Sequence, residues 1–177
     1  MVGVGRSLAS SRRDTVPPDG HALDLTSAKK GVMNRYHIAR QSHVHCMVCG
    51  ERTQNPGSLN LLFTRSEEGS IHSSFLVTEH HQGYTGVLHG GMTSTLLDAA
   101  MTHCLLMEGI QALTAELTVR FLAPIRVGQR VQLGARLVSQ RRAIYQLEAW
   151  IGLGSQQLAR ASAKFMAESG GAILNDR

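Results

Sequence analysis

The chain is short of charge, of aromatics and of long apolar runs, and each shortage narrows what it does. Charged side chains make up 18% and aromatics 5% of the 177 residues. So little charge on a chain that is 42% hydrophobic predicts one domain with a real core, part of whose surface is covered by another subunit. Three cysteines, an odd number, argue against a disulfide framework and for a reducing compartment. No apolar run reaches the length of a membrane span, and no secretory leader pattern is present. The net charge of +5 suits an anionic partner. The cationic residues are scattered, without interleaved aromatics, and no helix-turn-helix or ribonucleoprotein signature accompanies them. That excludes nucleic acid and favours a small anionic ligand.

Residues 1–33 have no hydrophobic period and contain Pro17-Pro18, Gly20 and Gly31, which reads as a disordered tail. The first 13 residues hold Arg6, Arg12 and Arg13, several serines and no acid, a composition that mitochondrial transit peptides share with untidy tails. The expected location is the cytoplasm, with the mitochondrial matrix as the alternative in a eukaryotic cell. One domain is expected over 34–170, with a tail over 171–177.

From Ser58 the pattern becomes alternating: Leu59, Leu61 and Phe63 predict a first strand, and Ile71 to Thr78 a second, joined as a hairpin at Glu67-Glu68-Gly69. A loop rich in His and Gly fills residues 79–88. Four further strands carry Leu117, Val119 and Phe121; Val131, Leu133, Ala135 and Leu137; the odd positions of Ala143 to Leu153; and Ala159, Ala161, Ala163 and Phe165 on one face each. Between the two groups lies His89 to Met107, a helix ending near Gly109 and apolar on nearly every side, hence buried. A single helix buried on most sides must be wrapped by the sheet. The predicted fold is therefore α+β: a curved antiparallel sheet of five to six strands around one long helix, with sheet edges that pair in a dimer.

That helix holds one ionised side chain, Asp98. A carboxylate in apolar surroundings must find partners or a proton, and such a group is more often a reagent than a support. His89-Gly90-Gly91 stands at the helix start, where unpaired N–H groups and the helix dipole favour developing negative charge. Thr114 opens the next strand. A carbonyl held at the helix head and a carboxylate further along are the minimum apparatus for acyl transfer to water.

Gly86-Val87-Leu88-His89-Gly90-Gly91, with Asp98 nine residues after His89, Thr114 sixteen after Asp98, and Phe121-Leu122-Ala123-Pro124-Ile125, resembles the hotdog-fold acyl-CoA thioesterases, in particular the phenylacetate-pathway (PaaI-like) and mammalian THEM-type groups. The resemblance runs over roughly residues 46–167. It implies an acyl-CoA substrate, a homodimer or homotetramer with shared sites, and no cofactor beyond the substrate's own coenzyme A. It implies Asp98 as general base or as nucleophile, N–H groups of Gly90 and Gly91 polarising the thioester carbonyl, His89 positioning the substrate or backing that carbonyl, and Thr114 holding water or orienting Asp98 from across the dimer interface. It departs at Gly83, where many PaaI-like members place an Asn; Gln82 substitutes, or the pocket is organised differently. Arg141 and Arg142 occupy a turn where the family places residues that bind coenzyme A phosphates.

His43, His45, Cys46 and Cys49 could supply metal ligands, but one Cys-x-x-Cys without a second pair reads as structural, so no metal is expected. The alternatives to a thioesterase are a non-catalytic acyl-CoA sensor and a hydratase or dehydratase acting on hydroxyacyl thioesters.

Overall fold

The computed structural model describes residues 35–167. The expected tails, 1–33 and 171–177, lie outside them. Residues 35–40 are helical and continue into a 3₁₀ turn, Gln41–His43. Strand β1 (Thr64–Arg65) and β2 (Ile71–Leu76) precede helix α1 (Gly90–Met107), and β3 (Leu113–Phe121), β4 (Arg130–Arg141), β5 (Ile144–Leu153) and β6 (Gln156–Met166) follow it. The strands form one antiparallel sheet in the order β1-β2-β4-β5-β6-β3. The predicted architecture is the observed one.

The period-two pattern explains the core. Val131, Leu133 and Ala135 of β4, Tyr145, Leu147, Ala149 and Ile151 of β5, and Ala159, Ala161, Ala163 and Phe165 of β6 are all buried on the face that meets α1. The small alanines of β6 let the helix approach closely. From α1, Leu96, Leu97, Ala100, Met101, Cys104 and Leu105 fill the space above them. No described helix is long and apolar enough to cross a membrane.

Two predictions need correction. The first strand is shorter than the alternation implied: Leu61 and Phe63 are buried as expected, yet only Thr64 and Arg65 pair with β2. The reason is competition for hydrogen bonds, because the N–H groups of Leu59 and Leu61 go to the carbonyls of Met47 and Val48. Leu137 is also 41% exposed. β2 begins at Ile71, opposite Ala135, so no strand neighbour covers Leu137 on that side, and β4 breaks register between Leu137 and Ser139.

The helix is not buried all round either. Gly91 is exposed, and Thr95, Asp98 and Thr102 are half-buried. Their spacing of three and four residues places them on one stripe. Beside it runs β3, an edge strand with Leu113 and Phe121 64% and 59% exposed.

Candidate active site at the head of the helix

His89 caps α1 with extended backbone (φ −61°, ψ 134°), and its Nδ1 accepts the Gly91 N–H at 2.9 Å. Gly91 is required for that cap, since a Cβ there would lie 2.9 Å from His89 Nδ1. The arrangement separates two glycines expected to act together through their N–H groups. The Gly91 N–H is already spent on the imidazole. Among the described residues, the Gly90 and Met92 N–H groups have no such partner, and Gly90, at the very start of the helix, is the more exposed of the two. With Nδ1 accepting, the neutral ring carries its proton on Nε2, which makes exposed His89 a donor outward.

Gly83 packs under the same imidazole: a Cβ there would come within 2.9 Å of His89 Cδ2. No side chain fits at position 83 without displacing His89, which accounts for the departure from the family's Asn. Gln82 is exposed, and its Oε1 accepts the Gly86 N–H at 2.9 Å, which shapes the loop while its amide N–H groups remain outward. His81 turns inward; its Nδ1 accepts from the Thr78 N–H, and its ring lies 4.7 Å from that of Phe75.

Asp98 is half-buried on the open stripe, and its Oδ1 accepts from the Thr114 hydroxyl at 2.7 Å. Both residues belong to the same chain, so the contact expected across a dimer interface is made within one protomer. A bulge makes it possible. β3 shifts register between Thr114 and Glu116, so Thr114 pairs with inward-facing Phe165 while Leu117 pairs with inward-facing Ala163. Strict alternation would have turned an even-numbered residue outward; the extra residue turns Thr114 in. Burial pushes the Asp98 carboxyl above the ordinary carboxylate range, the Thr114 hydroxyl pulls it partly back, and the charge of Cys46 adds to the rise.

Next to Gly90 lies an apolar cleft of about 330 Å³, walled by Phe121, Leu122, Pro124, Ile125 and Leu158. Arg141 closes β4 and Arg142 forms the β4–β5 turn (φ 55°), both exposed. Arg141 pairs with Ile144, Ile144 with Met166, and Met166 with Leu113, the residue before Thr114. The turn therefore stands at the Thr114 end of the sheet, three strand spacings or about 14 Å away. The other histidine of the helix, His103, is buried, stacked 4.1 Å from Phe63 and bonded through Nδ1 to the Tyr36 hydroxyl at 2.9 Å. Burial holds its pKa down to about 3. It is core rather than reagent.

A single antiparallel sheet wrapped around one long helix, with its site at the helix head, is the hotdog fold. Within that fold, the thioesterase-superfamily model matches residues 85–151. The chain is 27% identical over 70 residues to mouse acyl-coenzyme A thioesterase 13, covering 38% of this chain and 50% of that one. The human counterpart matches at 27% over 78 residues, 43% of this chain and 56% of that one. The chain thus spans about half the length of the curated relatives it matches. Zebrafish thioesterase superfamily member 2 superposes with a TM-score of 0.62 at 16% identity, over 77% of this chain and 98% of its own. A Streptococcus mutans protein crystallised bound to acetyl-CoA gives 0.57 at 21%, over 62% and 89%. A phenylacetic acid degradation-related protein of Ralstonia eutropha gives 0.57 at 23%, over 63% and 87%.

Proposed function

We propose that this protein is an acyl-CoA thioesterase in which Asp98 is the base. The observation that carries the reading is the pair at the side of α1: a half-buried carboxylate, raised in pKa and held by Thr114 at 2.7 Å. A raised pKa brings the base nearer working pH, where proton abstraction is most effective. Water held by Asp98 gives a proton to the carboxylate as its oxygen bonds to the thioester carbon. The carbonyl electron pair moves onto oxygen, which the Gly90 N–H and the helix head stabilise. The C–S bond then breaks, and the departing thiolate takes the proton back from Asp98, leaving free acid and coenzyme A. The apolar cleft beside Gly90 receives the acyl group, and Arg141 and Arg142 meet the coenzyme A phosphates.

Two copies complete the site. Gly90 and Asp98 are eight residues apart on one helix, about 12 Å along its axis. That is further than one reacting carbonyl and its attacking water bridge comfortably, so the donor and the base serving one substrate come from different protomers. The open stripe of α1 and the uncovered β3 edge are the surfaces a second copy covers. A hydratase needs a catalytic His paired with an acid, whereas His89 is bonded to the Gly91 N–H.

The test is thiol release from a panel of acyl-CoAs by wild type and Asp98→Asn. Turnover lost in the variant with the fold intact supports the reading. Binding of an acyl-CoA with no turnover by wild type overturns it in favour of a sensor. Single turnover in isotopically labelled water that leaves label in the Asp98 side chain identifies a nucleophile, through an anhydride opened at the Asp98 carboxyl carbon.

A further inference from the structure

A second set of reactive side chains comes together on the segment that precedes the sheet. His43 ends the 3₁₀ turn, and Cys46 and Cys49 follow at intervals of three residues. His43 Nδ1 and the two Sγ atoms all lie within 4.8 Å of one another, with His43 Nδ1 at 3.6 Å from Cys49 Sγ. A tetrahedral zinc ion, with Zn–N near 2.0 Å and Zn–S near 2.3 Å, sets its nitrogen and sulfur ligands about 3.5 Å apart. The sequence offered one Cys-x-x-Cys and no second pair. The fold supplies the third ligand.

The backbone around these residues is shaped for the purpose. The Val48 N–H donates to Cys46 Sγ at 3.4 Å, the Gly50 N–H to the Cys46 carbonyl at 2.9 Å, and the Glu51 N–H to the Val44 carbonyl at 3.0 Å. Gly50 admits no side chain, since a Cβ would run into backbone atoms of Cys46 and Val44. Behind the three side chains stands His103, 1% exposed, its ring 6.5 Å from that of His43 and its Nε2 without a hydrogen-bond partner among the described residues. A buried nitrogen beside His43 is thus left unsatisfied by the described residues.

We propose that His43, Cys46 and Cys49 bind one thiophilic cation of the zinc class, in a structural site with its fourth position facing solvent on the half-exposed side of His43 and Cys46. The carbonyls of Met47 and Val48 take the N–H groups of Leu59 and Leu61, so a metal here fastens the start of the sheet to the segment lying under α1. Binding free energy at such a site is folding free energy.

The experiment uses the full chain purified under reducing conditions, with Zn²⁺ and Co²⁺ as probes. Expected are one zinc per chain after gel filtration, a thiolate-to-cobalt charge-transfer band on substitution, and a Tm that falls on chelation and recovers with Zn²⁺. His43→Ala and Cys46→Ser each weaken affinity by more than about 100-fold, beyond the roughly 10–100-fold loss seen when a residue merely supporting a ligand is removed. Both positions are half-exposed, so these variants keep the test open should Cys49→Ser fail to fold. The proposal is overturned by absence of the charge-transfer band, by affinity unchanged in the two variants, or by a Cys46–Cys49 disulfide forming in place of metal uptake.

Discussion

Between Gly90 and Asp98, helix α1 buries only Thr93, Leu96 and Leu97, whereas between Ala99 and Met107 it buries every residue but Thr102. Each half carries one histidine at its own extreme. His89 is exposed and fixed by a backbone N–H; His103 is enclosed by Phe63 and Tyr36 and kept neutral. The same helix therefore holds its reagents where one face is left uncovered and its packing where none is. Apolar composition does not distinguish the halves, because Gly and Thr leave a stripe open on which Asp98 is the one charge.

The sharpest break in that contrast is Asp98→Asn. Turnover falls by about 100–10,000-fold, the range for loss of a general base. The Thr114 bond survives on the amide oxygen, and the fold becomes more stable. The sign follows from linkage. Between its unfolded pKa of 3.8 and the raised folded value, the native state binds more protons, so stability declines as pH rises through that window and stays lower at neutral pH. Neutral Asn removes the penalty, and thermal melts at pH 7 alongside thiol-release assays check both halves of the statement.

Gly90→Pro comes next. His89 already has the extended backbone that a following proline demands, and Pro suits the first helical position, so the helix survives while the Gly90 N–H disappears. Turnover drops by about 100–1,000-fold with little change in Tm. Thr114→Val has a smaller effect, on the order of 10-fold in kcat/KM. Its signature is a displacement of the acid limb of the pH profile to higher pH, because the lost hydroxyl bond was holding the carboxyl down. In the enclosed half, Leu105→Ala costs about 2–5 kcal/mol of stability and leaves kcat of the folded fraction unchanged. His103 adds a pH dependence there: with a folded pKa of about 3 against 6.5 unfolded, the native state binds fewer protons in between. Stability thus falls as pH drops below about 6.5 in urea titrations, and His103→Phe flattens the slope.

Much of this could be read from residues alone. The alanine ladder of β6 and the alternation in β5 both follow from period. What escaped depends on single irregularities. The β3 bulge turns Thr114 inward, a matter of one residue that no pattern of alternating side chains records. That the Gly91 N–H is engaged and the Gly90 N–H is not depends on which way the His89 ring points. His43 joins Cys46 and Cys49 only after a 3₁₀ turn brings them together.

The separation of Gly90 from Asp98 on a single helix has a counting consequence for mixed assemblies. A dimer of one Asp98→Asn copy and one Gly90→Pro copy gathers both lesions into one site and leaves the other intact. Two inactive proteins then regain activity on mixing, with no more than one working site per dimer. If base and donor came from the same copy, each site would carry a lesion and mixing would restore nothing.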